Sequence, residues 1–227
     1  MKRWIGIFKD VRIKNAALVL LLITSCFGAN AQLDWKLKKD EDWIKVFTAS
    51  TPNSDFKSIK VECIIKATVS QLVSFLMDVD KQHEWVYNNK TSQLLKKIKD
   101  NEMIFYSEVS VPWPCANRDY ISHITVTQPT PQLVNIDALS EPNLLPQKEG
   151  KIRVKSSRAH WDITKQGTDL LKIVYVVQFD PSGSVPAWLT NLFLTKGPVE
   201  TFQKLRDGVS KVAMAESKLN YITELQP

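Results

Sequence analysis

The sequence predicts an α+β fold in which a curved antiparallel sheet grips one long C-terminal helix. Three observations predict it: a nearly unbroken run of β-patterned segments from Ser92 to Gln178, a short helix ahead of that run, and an apolar stripe of helical spacing after it. At 227 residues, 44% hydrophobic and 24% charged, the chain has the length and composition of one globular domain with a full core.

The first 31 residues stand apart from that domain. Lys2, Arg3, Lys9, Arg12 and Lys14 make a basic start, and Ala16 to Ile23 is a short run without charge. Ala29-Asn30-Ala31 then offers the small-x-small pattern of signal peptidase, with cleavage before Gln32. The run is too short for an ordinary transmembrane helix. Residues 1–31 therefore read as a signal peptide, and the mature protein is expected in the periplasm or secreted. Ile23-Thr24-Ser25-Cys26 also fits a lipobox, so a lipoprotein anchored through Cys26 is the alternative.

Removing the leader changes the charge argument. It carries five Lys or Arg and one Asp, which is four of the formal six positive charges. What remains is about +2, with no Lys/Arg cluster suited to a phosphate backbone, so nucleic acid is not an expected partner. Cys63 and Cys115 do not make a disulfide framework, and Cys63 reads as a small buried hydrophobe in a strand. His83, His123 and His160 are widely spaced, with no second ligand at zinc spacing, so no metal or other cofactor is expected.

The elements follow in order. Trp43 to Ser50 reads as extended, Thr51 to Asp55 as a turn, and Phe56 to Ala67 as a second strand, with Ile59, Val61 and Cys63 alternating against Lys60 and Glu62. The pair suggests a hairpin. A helix follows, capped by Thr68 or Ser70, with Leu72, Val73, Leu76 and Val79 at helical spacing. A loop through His83, Glu84 and Trp85 leads into strands near Ser92–Lys99, Met103–Val111, Asp119–Thr127, Gln132–Ala138, Lys151–Ile163 and Leu170–Gln178.

The final helix is capped by Ser184, opens with Pro186, and carries Trp188, Leu192, Val199, Phe202, Leu205, Val209 and Val212 on one stripe, about 30 Å long at helical rise. Gly197-Pro198 is expected to kink it. Residues 32–217 thus form the domain, and 218–227 read as a polar tail.

Three segments go beyond fold class: VPWPCANRDY (Val111–Tyr120), EGKIRVKSSRAHWDI (Glu149–Ile163) and DPSGSVPAWLTNLFLTKGPVETFQKL (Asp180–Leu205). Together, in this order, they resemble a START domain, with motifs nearest those of the phosphatidylcholine-carrier branch. The resemblance covers roughly Trp35 to Ala215. It implies the helix-grip fold, with a hydrophobic tunnel, the terminal helix as its lid, and one lipid, sterol or other apolar molecule bound inside. Each buried methylene is worth about 0.8 kcal/mol, so a sixteen-carbon chain left in water costs on the order of 13 kcal/mol. A carrier must therefore enclose its guest and open to release it.

The candidate ligand-binding residues are Tyr106, Glu108, Trp113, Arg118, Leu144, Leu145, Trp161, Trp188, Leu192 and Phe193. Trp113 is a core residue or a cavity rim. Arg118 and Asp119 match the family's Arg-Asp pair; as neighbours on a strand they point to opposite faces, and Arg118 is a structural arginine bonded to carbonyls or a ligand contact. In sterol-carrying members a carboxylate at the position of Glu108 lies in the tunnel beside an arginine, but that arginine position falls on Ile124 here. The departure speaks against a sterol. Glu108 lines the tunnel or is an exposed strand glutamate.

Trp161 shares a face with Ala159 and either stacks under a ligand or packs in the core. Leu139 to Gln147 should be the loop beside the lid, with Leu144 and Leu145 as a membrane-touching tip or gate. Trp188, Leu189, Leu192 and Phe193 cover more than one helix face, one toward the tunnel and one toward a membrane.

The leading expectation is a monomeric, non-catalytic binder of a hydrophobic molecule, with transient membrane contact. The alternatives are a helix-grip cyclase using Glu108, Tyr106 and His123 as acid–base groups, and a ligand-sensing interaction module.

Overall fold

The computed structural model describes residues 33–51, 56–183, 185, 186, 189, 192–213 and 217–224. The predicted leader, with Cys26 and the cleavage site, lies outside the described residues, as does Ser184. Among the described residues no helix is long and apolar enough to cross a membrane.

Among the described residues ten strands are joined in one sheet: β1 (Lys36–Glu41), β2 (Ile44–Ser50), β3 (Lys57–Lys66), β4 (Asn89–Lys99), β5 (Glu102–Val109), β6 (Asn117–Thr130), β7 (Leu133–Ser140), β8 (Lys151–Arg153), β9 (Ser156–Lys165) and β10 (Leu170–Asp180). The order is β1-β2-β3-β10-β9-β7-β6-β5-β4. Every pairing along that path is antiparallel; β8 lies off it, parallel to the start of β6. β10 closes the two halves by pairing with β3 on one side and β9 on the other, Tyr175 facing Val61 and Trp161.

The expected hairpin of the first two strands is β2 with β3. Two differences from the sequence reading have physical causes. β1 is exposed along its whole length, so it carries no alternation from which a strand could be read. The single strand expected over Lys151–Ile163 is two: it breaks at Val154-Lys155, where the chain leaves β6 and takes β7 as its partner.

Helix α1 (Val69–Met77) is capped by Thr68, whose hydroxyl accepts from Gln71 N while the Gln71 side chain accepts from Thr68 N, a reciprocal capping box. A 3₁₀ turn (Val79–Lys81) and a short helix α2 (Gln82–Trp85) replace the expected loop. The last helix is a π-helical turn (Leu192–Lys196) running into α3 (Gly197–Val209). Pro198 sits in the first turn of α3, directly after the π-helical turn, where its missing N–H costs little.

Val199, Phe202, Leu205 and Val209 of α3 are buried in one core with Leu72, Val73 and Leu76 of α1 and the inner residues of β2, β3, β7, β9 and β10. Gly208 marks a close approach between the helices: a Cβ there would lie 2.4 Å from the Phe75 ring.

The segment read as the start of a polar tail packs back onto the fold. Ser217 is buried, and Leu219, Tyr221 and Ile222 lie against the core. Glu224 accepts from Ser70 N at 2.6 Å, and Thr223 exchanges hydrogen bonds with Gln128.

Candidate functional site

Along β6, side chains alternate between two environments. Arg118, Tyr120, Ser122 and Ile124 line a cavity on the concave side; Asp119, Ile121 and His123 point to the convex side. The cavity holds about 330 Å³, inside the roughly 300–1,000 Å³ typical of small-molecule sites. β9 supplies Ser157, Ala159 and Trp161, β10 supplies Tyr175, Val177 and Phe179, and β7 supplies Ile136 and Ala138. The roof is Leu189, Phe193, Leu194, Thr201 and Phe202, together with the helix start at Gly197-Pro198.

Aromatic contacts tie sheet to roof. Trp161 stacks on Phe202 at 5.4 Å and lies 4.4 Å from Tyr175, which in turn is 5.6 Å from Phe202. Phe105 meets Tyr120 edge-on at 6.1 Å, and Tyr87 meets Phe193 at 6.3 Å. Burial pushes the phenols of Tyr120 and Tyr175 well above their ordinary range, so both stay neutral donors.

Polarity changes along the cavity. Arg118, near Phe179 and Pro181, is its buried cation; two residues further along β6 stands Tyr120, then Ser122, then Ile124 among Ile136 and Trp161. Six residues of strand separate Arg118 from Ile124, about 20 Å at strand rise. A polar end and an apolar end are thus built into one strand.

Of the predicted site residues, Arg118, Trp161 and Phe193 line the cavity. Trp188 and the side chain of Leu192 lie outside the described residues. The other five are elsewhere. Tyr106 and Glu108 are on the convex side, because Phe105 and Val109 take the concave positions of β5. Tyr106 packs with Ile104, Ile121 and Leu145. Glu108 is 2% exposed and accepts from Asn117 at 2.7 Å, from Lys90 at 3.3 Å and from Lys151. Burial works to raise its pKa, but the bonds from Lys151, Asn117 and Lys90 outweigh it and hold the carboxyl below its ordinary value. It is neither a tunnel group nor an exposed glutamate.

Trp113 is 90% exposed on the β5–β6 loop, neither core nor cavity wall. Leu144 is half exposed and Leu145 packs on the convex side, so neither is a gate on the cavity. The reason is Arg153. It binds Asp119 through two bonds of 2.9 and 3.0 Å and donates to the carbonyls of Pro142, Leu145 and Pro146, which draws that loop onto the back of the sheet.

The sequence reading missed Tyr120, Ser122, Ser157, Tyr175, Phe105 and Gln82, all cavity-lining. The signal for two of them was present: on a strand, Tyr120 and Ser122 share the face of Arg118.

The START domain model matches residues 29–213. The chain belongs to the START domain family. The uncharacterized protein PA1579 of Pseudomonas aeruginosa is 32% identical over 178 residues, spanning 78% of this chain and 88% of that one. The phosphatidylcholine transfer protein of Mus musculus is 29% identical over 178 residues, 75% of this chain and 81% of that one. Among solved START structures, the STAR-related lipid transfer protein of Xanthomonas axonopodis superposes with a TM-score of 0.71 at 29% identity, covering 78% of this chain and 99% of that one. Human STARD10 superposes with a TM-score of 0.68 at 20% identity, covering 85% and 78%, and so shares the fold. The helix-grip architecture expected from the sequence is the one found.

Proposed function

We propose that this START protein binds a single lipid or other hydrophobic molecule in the cavity beneath α3, for transfer or sensing in the cell envelope, without catalysis. One observation carries the reading: an apolar hollow walled by the sheet and roofed by the terminal helix, in a fold whose relatives include proteins named for lipid transfer. The interior is lined by aromatic and aliphatic groups that would otherwise pack together, and a guest of matching apolar surface gains the energy those groups forgo.

The cyclase alternative finds no support in the same geometry. Glu108, Tyr106 and His123 sit on the convex side, and among the described residues that line the cavity there is no Asp, Glu or His. The acid–base-capable groups on that lining are Tyr87, Tyr120, Tyr175 and Lys57, and none of the three groups the cyclase reading relies on is within reach of an enclosed substrate.

Membrane contact is part of the proposal. Trp113, flanked by Pro112 and Pro114, stands exposed on a loop whose stem residues Val109, Val111 and Arg118 line the cavity. A tryptophan so placed suits the headgroup region of a bilayer, beside the route by which a ligand would leave. Processing of residues 1–31 by signal peptidase, with acylation at Cys26 as the alternative, would deliver the domain to that setting.

Native mass spectrometry with lipid extraction of protein purified from the periplasm tests the reading. A co-purifying hydrophobic molecule is expected, and a protein that stays empty in the presence of lipids overturns it. Exchange of a fluorescent lipid between vesicles then separates a carrier from a sensor.

A further inference from the structure

Two arginines are equally buried in this domain, each 6% exposed, and they are treated differently. All five N–H groups of a guanidinium can donate. Arg153 uses them fully: two go to Asp119, which neutralises it, and three go to the loop carbonyls of Pro142, Leu145 and Pro146. Arg118 has only three acceptors among the described residues, all of them neutral: Pro181 O from Nε at 3.2 Å, Ala116 O from Nη1 at 2.7 Å and Ser182 O from Nη2 at 3.2 Å. No described carboxylate lies within ion-pair distance of it. Arg118 is also the one that faces the cavity.

The other charged residue on the described lining is Lys57, at the exposed start of β3. The cavity therefore carries positive charge at one end, no described carboxylate, and an apolar floor at the other end. A buried cation without a counter-ion is costly, and a guanidinium fork is shaped for an oxyanion.

We infer that the ligand is an amphiphile with an anionic oxyacid head, carboxylate or phosphate, whose head meets Arg118 while its tail runs along Tyr120 and Ser122 toward Ile124 and Trp161. This rests on the proposed function above and names the ligand class of that same cavity. The two N–H groups left over, one on each Nη, take the head through charge-assisted bonds, and the carbonyls of Pro181 and Ser182 keep the guanidinium from swinging into solvent.

The test compares three twelve-carbon ligands that differ only in the head: dodecanoate, dodecyl phosphate and dodecanol. They are titrated calorimetrically into the purified protein at pH 8. Both anions are expected to bind about tenfold to a hundredfold more tightly than the alcohol, and the stronger of the two identifies carboxylate or phosphate as the head. In Arg118→Gln that preference should shrink to about threefold or less, with dodecanol affinity retained. Equal binding of all three ligands overturns the inference while leaving the cavity reading intact. Binding of none of them removes the cavity reading itself. A uniform loss across all three ligands in Arg118→Gln overturns the head assignment, because it marks Arg118 as a support for residues 181 and 182 only. The wild-type comparison decides the matter even if that variant does not fold.

Discussion

The two faces of this sheet come from the same strands but solve opposite problems. On the convex side every charge that is buried is answered. Asp119 is fully buried against Arg153, and Glu108 is held by Asn117 and two lysines. On the concave side Arg118 is left short of acceptors, and aromatic rings border open space. Both arrangements lie one residue apart on β6. Buried charge is answered on one face, and unfinished contacts on the other are what a ligand can use.

The largest effect should come from breaking the answered side. Asp119→Asn leaves Arg153 as a buried, unpaired charge and releases its hold on the 142–146 loop. Loss of about 3–5 kcal/mol is expected in denaturant unfolding. If ligand-head preference also vanished in a folded Asp119→Asn protein, the separation of the two faces would be wrong.

Glu108→Gln should cost less, about 1–3 kcal/mol, because its lysine partners retain access to water. Its pH signature is more telling. The folded pKa of Glu108 lies below its unfolded value, so its contribution is present above the unfolded pKa and is lost as pH falls through the folded one. Wild-type stability should therefore fall on acidification more steeply than that of Glu108→Gln, as thermal melts across the acid range would record.

The concave side should answer in the reverse sense. Ala159→Leu adds volume where the cavity is open, so stability should move by about 1 kcal/mol or less, while affinity for any twelve-carbon ligand drops about tenfold or more. A stability loss of several kcal/mol would mean that the space is already filled. Smallest in stability is Trp113→Ala, within about 0.5 kcal/mol because the ring touches so little of the fold. Its expected effect is on vesicle co-sedimentation, which should weaken while ligand binding in solution does not change.

Much of the fold could be read from the chain because local pattern and final structure agree. Alternation located β3, β5, β6 and β10, and a capping Thr68 or Ser70 ahead of helical spacing marked the start of α1. The site was legible only in part. Alternation says that Arg118 and Asp119 face apart, but not which side curves around the cavity; that depends on the long-range pairings of β10 with β3 and β9. For this reason the sequence leaves open whether Glu108 and Tyr106 face the cavity, and the structure puts both on the convex side. The break between β8 and β9 was invisible because a change of partner leaves no mark on hydrophobic period. Phe105, Tyr175 and Phe202 read as ordinary core, since an aromatic residue beside a void has the same local pattern as one beside another ring.

The packed segment 217–224 has a practical consequence. It joins four parts of the molecule at once: the first turn of α1 through Ser70, the end of β6 through Gln128, the β4–β5 turn through Asn220 and Asp100, and the end of β9 through Lys165. Cutting the chain after Ser217, where composition suggests that the domain ends, would sever all of these moorings and bare the side chains beneath Leu219, Tyr221 and Ile222. The seat of α1 and the turn between β4 and β5 thus depend partly on residues at the far end of the chain.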